Sequence, residues 1–257
     1  MKRLCCLFLT LIIFATGCGK AEVESDINLY VDSSLLTVIN EIVEKYEEES
    51  GVKIEVVSKT TGEIVKSVLK GEKCDISFTL GNEAIANLIK EGHLFKNYSV
   101  PIVENELVLI TSRNLNTSVS KFENIRNAKN IAMSKEDEPL GQFTREALIN
   151  LGVFKDVINM KVNEVKDSAS VLTSVIEGKS EVGICFESDA MENIDKVRVI
   201  EKAPKSSLNS DIVYFAGLLV REDGLEANEN VKNFYKYLDT PEVAKTFSEH
   251  NFGIYTE

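Results

Sequence analysis

Apolar and polar residues recur with two different periods along this chain, and the change of period marks a strand followed by a helix. Residues 27–31 alternate and are rich in β-forming side chains, as in a buried strand. From Leu35 onward, apolar residues recur at helical spacing. The junction falls at Ser33 and Ser34, and a helix start leaves backbone N–H groups that can hold an anion. A single junction more often only caps its own helix, so a functional interpretation needs repetition elsewhere.

The strand-to-helix pattern does repeat, and it predicts an α/β fold. Predicted strands cover residues 53–57, 75–79, 106–111, 131–133, 160–163, 181–186, 197–200 and 212–220, and predicted helices cover residues 35–50, 63–69, 83–90, 140–151, 167–178, 230–238 and 242–250. Strands that alternate with helices predict parallel or mixed sheets flanked by helices. In such sheets, ligands lie beyond the C-terminal ends of the strands.

Two irregular, charged stretches predict where the chain passes between two domains. One lies just before residue 106 and the other near residue 211. We expect lobe 1 to contain residues 27–104 and 211–257, and lobe 2 to contain residues 105–210. Two lobes joined by two strands leave a cleft that is suited to closing on a ligand.

The N-terminal segment is predicted to lie outside the fold. A basic start, an apolar run over residues 4–14 and small residues before Cys18 resemble a bacterial lipoprotein signal. We expect a signal peptide at residues 1–17, lipidation of Cys18 and a polar tether at residues 18–26. An uncleaved anchor helix is the alternative. Both interpretations place the mature protein outside the cytoplasmic membrane.

Charge and composition narrow the function classes. The formal net charge is −12 and no cluster of Lys and Arg stands out, which argues against a nucleic-acid partner. In the folded part, Cys74 and Cys185 lie in apolar runs, and we expect buried thiols there, with one disulfide as the alternative. His93 and His250 have no spacing that suggests a metal site.

Four short segments, taken in order, resemble the substrate-binding protein of a molybdate ABC importer. They are residues 32–35 (Asp-Ser-Ser-Leu), 61–64 (Thr-Gly-Glu-Ile), 138–141 (Glu-Pro-Leu-Gly) and 183–190 (Gly-Ile-Cys-Phe-Glu-Ser-Asp-Ala). The family shows Ala-Ala-Ser-Leu, Ser-Gly-x-Leu, a Pro-Ala-Gly loop and Gly-Ile-Val-Tyr-x-Ser-Asp-Ala at these places. The resemblance covers roughly residues 27–254. It implies a two-lobed, periplasmic-binding-protein-like fold of type II, with the ligand cleft between the lobes.

The resemblance also implies which residues hold the ligand. An oxyanion would be bound by the hydroxyl groups of Ser34 and Thr61, by backbone N–H groups at Leu140 and Ser168, and by a tyrosine hydroxyl at the place of Phe186. The molybdenum would be held through its oxygens, with no direct metal ligand and no cofactor. Phe186 has no hydroxyl, and this loss is expected to cost roughly 1–3 kcal/mol if an oxyanion lone pair stays unpaired.

Asp32 is a second departure, because the family usually has alanine there. A carboxylate close to a dianion repels it, or accepts a proton from a protonated oxyanion. A site of donors only favours fully ionised molybdate or tungstate, whereas an inward Asp32 favours ligands of the phosphate type. The strand period does not decide where this side chain points, because the residue lies at the turn.

The leading hypothesis is an extracytoplasmic solute-binding lipoprotein that binds molybdate or tungstate and delivers it to an ABC permease. We expect a monomer, anchored to the bacterial cell membrane by lipid at Cys18. The chief alternative is a binding protein for another anion, such as phosphate, sulfate or a small organic anion.

An enzyme on the same fold is the hypothesis from a different class. The sequence has no glycine-rich nucleotide motif and no metal-ligand cluster, and no obvious base stands beside Ser34. Asp189 follows a predicted strand, and we expect it to be a helix N-cap rather than a base. We therefore expect no enzymatic activity.

Overall fold

The computed structural model describes residues 25–220 and 227–255, and these residues form two mixed β-sheets flanked by helices. The predicted α/β class is confirmed. The predictions for residues 1–24, which include the signal peptide and the lipidation of Cys18, lie outside the described residues. Within the described ranges, no helix is long and apolar enough to cross a membrane.

The elements of the described residues follow one another in the alternating order that the sequence predicts. The strands are β1 (Ile27–Asp32), β2 (Ile54–Lys59), β3 (Ile76–Leu80), β4 (Leu94–Asn105), β5 (Leu107–Ser112), β6 (Asn130–Ser134), β7 (Lys161–Val165), β8 (Val182–Phe186), β9 (Val197–Lys202), β10 (Ile212–Leu219) and β11 (Gly253–Ile254). The helices are α1 (Leu36–Ser50), α2 (Thr61–Leu69), α3 (Asn82–Lys90), α4 (Pro139–Asn150), α5 (Phe154–Ile158), α6 (Ser168–Ile176), α7 (Glu187–Glu192), α8 (Glu229–Tyr237) and α9 (Pro241–Glu249).

Each sheet contains a parallel set of strands and an antiparallel set. The first sheet has the order β11-β4-β10-β3-β1-β2, and β1 is parallel to both β2 and β3. The second has the order β7-β6-β8-β5-β9, and β6 is parallel to both β7 and β8. We call the first sheet with its helices lobe 1 and the second with its helices lobe 2. For the two folding units we propose the predicted division, residues 27–104 with 211–257 against residues 105–210.

Strand β1 is the central element of lobe 1. All six of its residues are buried, because it lies between β2 and β3 in the sheet and packs against α1 and α2. Its register pairs Asp32 with Lys59, so β1 and β2 end side by side. The polar residue that ends β1 is therefore fixed at the edge of the sheet where α1 and α2 also begin.

A glycine fixes the start of α4 in lobe 2. The helix begins at Pro139, and an ideal Cβ on Gly141 would lie 1.7 Å from the carbonyl oxygen of Lys135. No other residue fits this close approach, because the obstacle is backbone rather than a movable side chain. The first turn of α4 is thereby held tightly against the loop that leaves β6.

Several elements differ from the sequence-based prediction. Just before residue 106, where the sequence predicts an irregular stretch and no strand, the chain forms the twelve-residue strand β4. Most of its side chains are exposed or half-buried, so the apolar alternation that identifies a strand is missing. Helices α5 and α7 were not predicted, because they are too short to show a helical period.

Cys74 and Cys185 are both free; Cys185 is buried and Cys74 is partly buried.

The close approach at Gly141 gives a test of the fold. We expect Gly141→Ala to lower the stability by about 1–3 kcal/mol, because the added methyl group overlaps the Lys135 carbonyl and displaces the start of α4. The measurement is urea denaturation of the chain from residue 19 onward, followed by circular dichroism.

Gly253→Ala is the matched control, because its Cβ would lie 3.4 Å from the Cβ of Glu104, which is ordinary contact. The control is expected to stay within about 0.5 kcal/mol of the wild type. Equal stability of the two variants would contradict the geometry described for the start of α4.

Candidate functional site

Strand ends and helix starts of both lobes meet at one small cavity. Four of the five predicted site residues line it, namely Ser34 from lobe 1 and Leu140, Ser168 and Phe186 from lobe 2. Thr61 lies beside it as the first residue of α2, with its hydroxyl directed at Asp32. The cavity has a volume of about 20 Å³, which is room for roughly one water molecule.

Asp32 points into the site, which answers the question that the sequence left open. Its Oδ1 accepts hydrogen bonds from the backbone N–H of Ser34 at 3.2 Å and from the Ser34 hydroxyl at 2.6 Å. Its Oδ2 accepts from the backbone N–H of Thr61 at 3.0 Å and from the Thr61 hydroxyl at 2.6 Å. The carboxylate of Asp32 therefore occupies the lobe 1 donors that the resemblance assigns to the ligand.

The protonation of Asp32 is set by two opposing effects. Burial disfavours the charged form, whereas the four hydrogen bonds from Ser34 and Thr61 favour it. Burial is the larger effect, so the pKa of Asp32 lies above its ordinary value.

The two hydroxyl groups that contact Asp32 are themselves held by further donors. The Tyr214 hydroxyl lies 2.6 Å from the Ser34 Oγ, and the backbone N–H of Leu80 donates to the Thr61 Oγ1 at 2.9 Å. A hydroxyl has one hydrogen, and that of Ser34 is directed at Asp32. Tyr214 is therefore the donor to Ser34, and two chains of hydrogen bonds converge on one carboxylate.

Lobe 2 contributes the starts of α4 and α6. Leu140 is the second residue of α4, and Ser168 is the first residue of α6, after Asp167, which caps that helix through Ser170. The first backbone N–H groups of a helix have no intrahelical acceptor and lie at the positive end of its dipole. Both starts face the cavity, so their N–H groups are suited to an anionic ligand.

Phe186 places an aromatic ring, not a hydroxyl, on the cavity. The ring is buried and packs edge-on against Tyr214, with 6.1 Å between the ring centroids. The Tyr214 hydroxyl, which belongs to the opposite lobe, reaches the site only through the Ser34 Oγ, at 2.6 Å. Sequence reasoning missed Tyr214, because one hydroxyl in the apolar run of β10 has no local pattern that marks it.

Asp189 is not the N-cap that the sequence predicted. Helix α7 is capped at Phe186, and Asp189 lies inside its first turn. Burial raises the pKa of the Asp189 carboxyl group to about 8, against the opposing hydrogen bond from Ser168. Its Oδ2 is buried and, among the described residues, has no hydrogen-bond partner.

Glu138 and Lys166 tie the lobes together beside the cavity. Glu138, before α4, accepts from the Thr60 hydroxyl at 2.9 Å and from the backbone N–H of Gly62 at 3.4 Å. Lys166 forms an ion pair of 2.8 Å with Glu63 of α2. A Cβ on Gly62 would lie 3.2 Å from the Glu138 Oε1, so a larger residue there would make the Glu138 side chain shift. Burial raises the pKa of Glu138, and its hydrogen bonds oppose the increase.

A second interlobe contact surrounds His250. Its Nε2 lies 2.8 Å from Glu41 of lobe 1, and its Nδ1 lies 3.1 Å from Glu192 of lobe 2. Partial burial opposes protonation of His250, but the hydrogen bonds to both carboxylates outweigh it and raise the pKa. The protonated ring donates from both nitrogens and joins the two lobes.

The site holds hydroxyls, helix starts and carboxyl groups, and its chemistry is that of binding. In the described part of the chain, no group of three or more His, Cys, Asp or Glu side chains is arranged to hold a metal ion. The hydroxyl of Ser34 is engaged by Asp32 and Tyr214. The arrangement gathers donors from two lobes around a space for a small ligand.

Comparison with known proteins gives matches over nearly the whole described chain. The sequence model of a family described as bacterial extracellular solute-binding protein matches residues 27–253. YvgL of Bacillus subtilis (strain 168), described as an ABC transporter substrate-binding lipoprotein, is 26% identical over 252 residues, which are 95% of each chain.

Solved structures give the same fold. The substrate-binding domain of a molybdenum ABC transporter from Clostridium difficile matches with a TM-score of 0.69 and 27% identity, over 90% of this chain and 99% of that one. The periplasmic molybdate-binding protein of Azotobacter vinelandii matches with a TM-score of 0.76 and 14% identity, over 90% of this chain and all of the other (100%).

The contacts of His250 predict a pH-dependent stability. Since its pKa is raised in the folded protein, its contribution is complete below the ordinary histidine value of about 6.5 and is lost as the pH rises through the raised value. We expect His250→Ala to lower the urea midpoint at pH 5.5 and to differ little from the wild type at pH 9.

His93→Ala replaces the other histidine of the chain, within lobe 1, and serves as the control. We expect it to keep the pH dependence of the wild type. A deficit of His250→Ala that is the same at both pH values would contradict an interlobe contact made by the protonated ring.

Proposed function

This chain belongs to the bacterial extracellular solute-binding proteins, and on that premise we propose that its cleft binds a small tetrahedral oxyanion for transport. It is the solute-binding protein of an ABC transporter, so a ligand and a membrane permease are its partners. The family consists of binding proteins of transporters rather than enzymes.

The contacts around Asp32 are the main support for the proposed ligand class. A carboxylate is itself an oxyanion, and this one receives four hydrogen bonds from the starts of two helical segments. Donors at 2.6 to 3.2 Å around two anionic oxygens are therefore already arranged in lobe 1. The helix starts at Leu140 and Ser168 would supply the donors from lobe 2.

Molybdate is the first candidate ligand, with tungstate beside it. Two relatives with the same fold are described as a molybdenum-transporter domain and a molybdate-binding protein. We assign Ser34, Thr61, Leu140 and Ser168 as donors to the oxyanion, with Phe186 as an apolar wall. The metal atom would be reached only through its oxygens.

A second candidate is another anion, such as phosphate, sulfate or a small organic anion. Two residues favour it. Phe186 removes a hydroxyl donor from the site, and the inward carboxylate of Asp32 adds negative charge where a dianion would lie. Repulsion between two anions in a buried site is strong, so a singly charged phosphate or organic anion gains relative to molybdate, whereas sulfate carries the same charge as molybdate.

We also propose a lipid anchor at Cys18, which would hold a monomeric protein at the outer face of the cytoplasmic membrane. The order of a basic start, an apolar run and small residues before this cysteine supports the proposal. The description of the Bacillus subtilis relative as a lipoprotein agrees with it.

Calorimetric titration of the mature chain from residue 19 tests the ligand. We expect binding heat with molybdate and tungstate, and weaker binding of both by about 10- to 100-fold in Ser34→Ala, because one charge-assisted donor is lost. Ser248→Ala removes an exposed hydroxyl that bonds only within α9 and serves as the control.

Heat with phosphate or sulfate alone would select the second candidate. Absence of heat with all four anions, in a folded protein, would contradict an oxyanion receptor.

A further inference from the structure

The hydrogen bonds around Asp32 account for the hydroxyl hydrogens of Ser34 and Thr61, the two lobe 1 residues that we assign to the ligand. Ser34 and Thr61 each have one hydroxyl hydrogen, and both point at Asp32, at 2.6 Å. Their backbone N–H groups also donate to it. While Asp32 is ionised in this position, neither hydroxyl has a hydrogen left for an anion in the cleft.

The size and the charge of the cavity also disfavour the entry of a dianion. Its volume of about 20 Å³ holds one water molecule, whereas a tetrahedral oxyanion has five heavy atoms. Glu138, just before α4, and Asp189, in α7, both feel the negative charge of Asp32, which adds to the effect of burial in raising the pKa of each carboxyl group. The hydroxyl group of Tyr214, in β10, is linked to Asp32 through the Ser34 hydroxyl.

The charged groups at the start of α6 do not neutralise the carboxyl groups of Asp32, Glu138 and Asp189. Lys166 lines the cavity, but it is paired with Glu63 at 2.8 Å. Its neighbour Asp167 adds another carboxylate to the lining and is engaged in capping α6. A dianion that entered with every carboxyl ionised would meet a site that is already negative.

We propose that Asp32 is the specificity-determining residue of the cleft and couples the binding of an oxyanion to the uptake of one proton. The inference rests on the proposed function. Protonated Asp32 becomes a donor to the Ser34 or Thr61 oxygen, and the hydrogen of that hydroxyl turns to the ligand. The proton comes from solvent for anions that carry none near neutral pH, such as molybdate and sulfate. An anion with an ionisable hydroxyl, such as phosphate, supplies the proton itself.

The proton balance is measured by titration in two buffers. Molybdate and sulfate are added to the mature chain at pH 8 in Tris and in HEPES, whose ionisation enthalpies differ. We expect the difference in heat to correspond to about one proton taken up per anion. Phosphate is expected to draw fewer protons from the buffer. Across pH 6–9, the association constant for molybdate should fall about tenfold per pH unit once Asp32 is ionised in the free protein.

Two variants separate the role of Asp32 from folding. Asp32→Asn keeps the size of the side chain and has no ionisable proton, and Asp32→Ala removes the group that occupies the lobe 1 donors. We expect both to take up about one proton fewer per anion than the wild type, and to bind molybdate and sulfate about tenfold or more tightly at pH 8. Asp137→Asn, an exposed carboxylate beside Glu138, makes the same change of charge and should keep the proton uptake of the wild type.

The outcomes distinguish this inference from the function on which it rests. Equal heats in the two buffers for the wild type, with unchanged affinity in Asp32→Asn, would overturn the role of Asp32 and leave the receptor in place. No binding of any anion by the wild type or by either folded Asp32 variant would overturn the proposed function itself.

Discussion

The carboxylate of Asp32, held by Ser34 and Thr61, is the interaction on which the rest of the site depends. It joins the end of β1 to the start of α2, and the short 3₁₀ turn Ser33–Leu35 begins under the same group. Two oxygens satisfy four donors, of which the two from Thr61 are buried and the two from Ser34 are partly buried. The geometry of the lobe 1 half of the cleft is therefore set by an acidic side chain of the chain itself.

The two lobes meet through polar contacts beside an apolar one. Glu138 reaches the start of α2, Lys166 reaches Glu63, and His250 lies between carboxylates of both lobes. Phe186 of lobe 2 also packs against Tyr214 of lobe 1, and one buried apolar cluster includes residues of both lobes. The exposed polar contacts are individually weak and respond to pH and to salt, so this part of the interface depends on solution conditions more than the apolar part does.

The sequence predicted the fold class well, because most strands and helices carry a clear apolar period. The family resemblance also selected Ser34, Leu140, Ser168 and Phe186, and these four residues line one cavity. The sequence did not predict contacts between residues that lie far apart along the chain. The direction of Asp32 depends on Thr61 in another element, and Tyr214 reaches Ser34 from a strand far along the chain. Strand β4 and helix α7 were missed, since the strand is largely exposed and the helix has only six residues.

Gly62 affects how closely the lobes approach beside the cavity. Its backbone N–H donates to the Glu138 Oε2 at 3.4 Å, and an added Cβ would lie 3.2 Å from the Glu138 Oε1. At this distance the Glu138 side chain would have to shift by a few tenths of an ångström. A methyl group at residue 62 would therefore push on the carboxylate by which lobe 2 reaches the start of α2, so the contact depends on the absence of a side chain at residue 62.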